Sequence, residues 1–240
     1  MASSSSNDRG GPIDDGSWAT ALLARVFTPG PHPRMHGYDV YGDLAQHYRA
    51  SDLALTGLVG HPPSEQEGAL FDATLSFLAP CTVSEAPSHA AVLTRACGGA
   101  APQLVSVGAT LLAEHSEALV RDHASLLAWL SASGGPLPPP FRCGDEAARQ
   151  GVRLFEARLG RAGIELTIFA HDPTLDAACI AALHRCGLTD PEQLVAALVL
   201  ARLPGVLAES LAAPIGDRRP YPIDLPPFRY VADEPPEPAP

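Results

Sequence analysis

Apolar residues recur along most of the chain at intervals of three and four, as in Leu104-Val107-Leu111-Leu112 and Leu194-Ala197-Leu198-Ala201. That spacing gathers them on one stripe of an α-helix, and no stretch alternates convincingly between apolar and polar as a half-buried strand would. Glycine and proline cut the helical stretches at Gly60-His61-Pro62-Pro63, Gly98-Gly99, Gly134–Pro140, Gly187–Pro191 and Pro214-Ile215-Gly216. Within those limits Ser64 is a good cap for a helix running to about Leu78, and Asp190 before Pro191 predicts an N-cap with proline at the first helical position. Short helices joined by tight turns make an all-α fold without an internal repeat. Residues 1–16 are rich in Ser, Gly and Asp, and residues 232–240 are nearly all acidic or Pro. Both are expected to be disordered tails, because they cannot bury enough apolar surface to offset the entropy of ordering.

Composition narrows the chemistry. The chain has 240 residues, 46% hydrophobic and 18% charged, which suits one large globular unit or two small ones. All 16 basic residues are Arg, which excludes a Schiff-base lysine, a pyridoxal-phosphate anchor and a P-loop lysine. A formal charge of -11 without a basic cluster argues against a nucleic-acid partner. The five cysteines (Cys81, Cys97, Cys143, Cys179, Cys186) form no CxxC pair, and their odd number does not suit a disulfide framework. A reducing cytoplasm is the expected location. The first residues lack the apolar run of a signal peptide, and no window approaches about 18 uninterrupted apolar residues, so no membrane association is expected. Cys179, His184 and Cys186 do not share a helix face and lack a fourth ligand, so no metal site is expected. Cys81 has no His placed to activate it and reads better as a small buried thiol.

Two stretches carry a family resemblance. His36-Gly37-Tyr38-Asp39-Val40-Tyr41-Gly42-Asp43-Leu44, with the weakly polar helix after it and the turn Gly60-His61-Pro62-Pro63, resembles the RGY-x-[IL]-x-DL segment and G-x-x-P turn of citrate synthases and citryl-CoA lyases. Arg202-Leu203-Pro204-Gly205-Val206-Leu207-Ala208, followed by Arg218-Arg219-Pro220 and Tyr230-Val231, resembles the R-x-x-G-x-x-A-H helix, R-P turn and closing Y-V-G of the same superfamily. The resemblance spans roughly residues 18 to 231 and implies an all-α homodimer with a citrate-synthase-like large helical domain and a small mobile one. It places the large domain in residues 17–115 and 165–231. A reduced small domain is left in residues 116–164, since the chain is short for such an enzyme.

The same resemblance implies the chemistry. Family members remove a proton next to an acyl-CoA carbonyl, stabilise the resulting enol(ate), and make or break a C–C bond. Asp176, two residues after Thr174 at the start of a helix, matches the family's base; a helix-start carboxylate needs desolvation to act so, because the helix dipole lowers its pKa. Without the resemblance Asp176 is simply an N-terminal helix residue. His115 matches the enol donor, although Ser116 and Glu117 replace the two glycines that let backbone approach substrate there; otherwise it is a helix-surface His beside acidic neighbours. Arg202 and Arg219 match carboxylate clamps, a role the planar guanidinium fork suits. In the family the second clamp reaches across the dimer interface, whereas a solvated turn residue is the plain reading of Arg219. Substrates would be a small carboxylate or an acyl-CoA, with no cofactor beyond CoA as part of a substrate.

The departures are as informative as the matches. Pro80-Cys81 stand about where the family has D-H, Asp145-Glu146-Ala147 replace D-P-R, and the G-x-G-H histidine has no counterpart among Leu137–Asp145. Three possibilities follow: a diverged C–C bond enzyme, a variant working on a substrate not tethered to CoA, or a pseudoenzyme that keeps the helical dimer to bind a metabolite or partner.

Overall fold

The computed structural model describes residues 23–132 and 135–216; the two predicted tails, Arg219 and the Tyr230-Val231 segment lie outside them. Backbone contacts divide the chain into two compact units, one running to Gly68 and one starting at Ala69.

The first unit corrects the expectation of a strand-free chain. Phe27–Thr28 (β1), Arg34–Met35 (β2) and Tyr38–Asp39 (β3) form an antiparallel sheet in the order β1-β2-β3. Each strand has two residues, too few for alternation to show in the sequence. Met35 pairs with Tyr38, leaving His36-Gly37 as a two-residue turn with φ of 47° and 90°. Two positive φ values in succession match the right-handed twist of a hairpin, and glycine supplies the second without steric cost. Asp39 then caps a π-helical turn, Val40–Leu44, by accepting from the N–H groups of Tyr41 at 3.0 Å and Gly42 at 2.7 Å. The turn leads through Ala45–His47 (α1) into Ala50–Val59 (α2), which ends at Gly60 in the left-handed conformation, φ 90°. Ser64 caps Glu65–Leu78 (α3) as expected: its N–H and hydroxyl donate to Glu67 at 2.8 and 2.7 Å, and its hydroxyl accepts from the Glu67 N–H at 3.3 Å.

In the second unit three helices pack together: Ala86–Ala96 (α4), Ala101–Asp122 (α5) and the long α-helix Pro191–Ala212, designated α9 after the three that precede it. Those three are Ala124–Ser131 (α6), Glu146–Gly160 (α7) and Leu175–Arg185 (α8). α8 is buried at every position from Ala177 to Leu183, the mark of a helix enclosed on all sides. Ile180 and Ala181 share a core with Leu126, Leu137, Phe141 and Ile168. A second core joins Cys81, Ala91, Leu112 and Val206 between α4, α5 and α9. By length and a mean hydropathy of 1.8 α9 could cross a membrane; here Leu194, Ala197, Leu198, Ala201 and Val206 are buried as it packs on α4 and α5.

Pro204 lies inside α9 and cannot donate to the Leu200 carbonyl. Gly205 follows, and a Cβ there would stand 2.8 Å from the Ala79 carbonyl oxygen. The obstacle is backbone and cannot swing aside, so glycine is what lets α9 lie against the turn after α3. Gly205→Ala is expected to lose about 1–3 kcal/mol through overpacking, read as a lower urea midpoint at unchanged slope.

Candidate functional site

The turn from Ala79 to Glu85 is built by local hydrogen bonds. The Thr82 N–H donates to Glu85 Oε1 at 2.8 Å, the Glu85 N–H returns to the Thr82 carbonyl at 2.9 Å, and Ser88 Oγ donates to the Cys81 carbonyl at 2.7 Å. Glu85 is thereby fixed at the N-cap of α4 with extended backbone. Cys81 is buried in the α4–α5–α9 core.

Onto this turn α9 lowers Arg202, one helical turn before Gly205. Arg202 Nη2 donates to Glu85 Oε2 and, at 3.4 Å, to the Pro80 carbonyl. The Arg202 side chain is 12% exposed and that of Glu85 29%. A charge in so apolar a helix needs a partner, and Glu85 provides it. Burial alone would raise the Glu85 carboxyl, but the Thr82 N–H, the Arg202 guanidinium and the charge of His115 together hold it below its ordinary value of 4.5. His115 is half-buried on α5, and among the described residues no hydrogen bond or ion pair joins it to Arg202 or Glu85.

Asp176 makes no direct contact with the Arg202–Glu85 pair among the described residues. It is exposed in the first turn of α8, and Thr174 caps that helix by accepting from the Ala177 N–H at 3.3 Å. Burial, with the Asp176 charge beside it, pushes the Cys179 thiol up. Among the described residues no hydrogen bond or ion pair joins Asp176 to His115 or Arg202.

The approach to α8 is clamped. The Cys143 N–H donates to the Asp172 carbonyl at 2.8 Å and the Thr174 N–H to the Phe141 carbonyl at 2.7 Å, a short antiparallel bridge. Arg149 on α7 grips both sides of it, donating from Nε to Asp172 at 3.0 and 3.1 Å and from Nη2 to the Cys143 carbonyl at 3.1 Å. It also pairs with Glu146 at 3.3 Å, so Arg149 is already engaged within the chain. Asp172 has φ 51°, a left-handed conformation that Asp tolerates better than most residues. Arg149→Met is expected to speed amide hydrogen exchange at Cys143 and Thr174 while leaving α5 unchanged, as measured residue by residue.

A groove of about 840 Å³ lies between α5, α6 and the start of α9, with Ala113, Val120, Leu127 and Val195 on its walls and Glu114, Glu117 and Glu192 beside them. His115 is two residues from Glu117 and so about 200° away round α5. The groove therefore lies on a different face of α5 from His115. The Arg202–Glu85 pair, buried against the turn at residues 79–85, is the candidate site.

Sequence reasoning missed Glu85. It stands 117 residues from Arg202, and nothing local marks it beyond an acidic residue just before the proline-bearing start of α4. Because folding lowers its pKa, Glu85 stabilises the protein above pH 4.5, and that contribution is lost as pH falls through the folded value. Urea midpoints taken from about pH 7 down to about pH 3 are expected to fall less steeply in Glu85→Gln than in the wild type.

No protein-family model matches the chain, and no curated protein matches it in sequence. Among solved structures it is similar to citryl-CoA lyase from Hydrogenobacter thermophilus, with a TM-score of 0.56 and 16% identity over 91% of this chain and 97% of that chain. The fold is citrate synthase-like and all-α.

Proposed function

We propose that this protein makes or breaks a C–C bond next to a carbonyl through an enol(ate), on a carboxylate or acyl-CoA substrate, as a diverged member of the citrate synthase and citryl-CoA lyase superfamily. The observation that carries it is the likeness of fold to a citryl-CoA lyase over nearly the whole of both chains. In the cleavage direction the substrate hydroxyl gives its proton to solvent and becomes the keto group as the C–C bond breaks, and the electron pair of that bond passes into the enol(ate). His115 donates a hydrogen bond to the enolate oxygen, and Asp176 returns a proton to carbon. Arg202 and Arg219 hold carboxylates, Arg219 across the interface of a cytoplasmic homodimer. Such an enzyme needs no cofactor besides a CoA carried by the substrate. It requires α5 and α8 to present His115 and Asp176 to one substrate.

Two observations favour a second reading. Arg202 is already paired with Glu85, and Asp176 makes no bond to either Arg202 or His115, which suits a dimer that binds a metabolite or partner without turning it over.

Enolisation separates the two. An enzyme of this class exchanges the methyl protons of acetyl-CoA with deuterium in heavy water, followed by proton NMR. Asp176→Asn is expected to slow that exchange by at least about 10²-fold, the usual worth of a general base. No exchange in the wild type, with oxaloacetate present or absent, leaves the binding protein as the conclusion.

A further inference from the structure

We propose that Glu85 is the specificity determinant of the Arg202 site, an internal carboxylate standing where a ligand carboxylate would bind. The inference rests on the reading of Arg202 as a carboxylate clamp.

Three features of the pair carry it. Glu85 is held at both oxygens, Oε1 by the Thr82 N–H at 2.8 Å and Oε2 by Arg202. A carboxylate tethered and oriented in this way acts at high effective concentration, so a free ligand competes with it at a disadvantage. Next, both contacts of Arg202 among the described residues use Nη2. A guanidinium carries five N–H donors in a planar fork, so Nε and Nη1 remain to bind a second oxygen. Finally, Glu85 is the more exposed partner, 29% against 12%, and its charge offsets that of Arg202. With Glu85 in place the guanidinium is poorly attractive to a single carboxylate; with it neutralised the same nitrogens carry an unbalanced positive charge.

Glu85 therefore sets how strongly the site takes anions. A ligand displaces it only by bringing more than one anionic group, as citrate or oxaloacetate does, or by binding elsewhere at the same time, as an acyl-CoA does. The charge on α4, absent from the motifs that suggest the family, is the feature that tunes this chain's own Arg202.

Isothermal titration calorimetry with citrate and with oxaloacetate tests this on wild type, Glu85→Gln, Arg202→Met and the double variant. Gln retains an oxygen for the Thr82 N–H and removes the charge. Citrate is expected to bind Glu85→Gln at least tenfold more tightly than wild type, and the gain is expected to vanish in the double variant. A folded Glu85→Gln that binds citrate no more tightly than wild type overturns the inference, as does a gain that survives Arg202→Met. If Glu85→Gln does not fold, Glu85→Asp draws the carboxylate back by one methylene, and its failure to gain affinity is equally decisive. Deuterium exchange separates the two claims. A gain in citrate affinity without exchange sustains the role of Glu85 and defeats the enzyme. Exchange that depends on Asp176, with citrate affinity unmoved by Glu85→Gln, does the reverse.

Discussion

The close approach of α9 to the turn at residues 79–81 is the constraint on which the second unit depends. Two backbones meet there at Gly205 and Ala79, with no room for a Cβ, and one turn earlier Arg202 reaches the Pro80 carbonyl and Glu85. Glycine sets the distance and arginine fixes the direction. Pro204 between them takes an N–H out of the helical ladder at the place where α9 needs latitude. At Gly108 on α5 a Cβ would stand 2.9 Å from the Val206 side chain, a neighbour that can move where the Ala79 backbone cannot.

The helix that bears Asp176 is held by different means. α8 is enclosed in apolar side chains through Ala177–Leu183, so its axis is set by packing, while its first turn is set by polar contacts at Thr174, Asp172 and Arg149. A helix whose body is buried and whose N-terminus is exposed can offer a carboxylate to solvent without moving. Asp176 so placed is desolvated only by whatever covers it, a substrate or another subunit.

What was legible in the sequence was local. Ser64 as a cap, Asp190 with Pro191, and the break at Gly60 each act within a few residues, and each appears in the structure as expected. The all-α fold was legible for the same reason, since helical periodicity is local. The β1–β3 sheet was not, because strands of two residues carry no period. Glu85 was not legible either: its partner lies 117 residues away, and only the meeting of α4 and α9 joins them. The alignment covers 97% of a solved citryl-CoA lyase chain.

The charge balance at Arg202 bears on what the chain has become. An arginine on an apolar helix is unfavourable unless paired, and a metabolite that comes and goes cannot stabilise the protein in its absence. A chain that places Glu85 opposite Arg202 has solved that problem internally. The same pair suits an enzyme that must release its carboxylate product, because the returning Glu85 competes with product for the guanidinium. It also suits a protein that has lost its ligand and kept the arginine for folding. These differ in one physical respect: in the first Glu85 leaves Arg202 during each cycle, and in the second it never does.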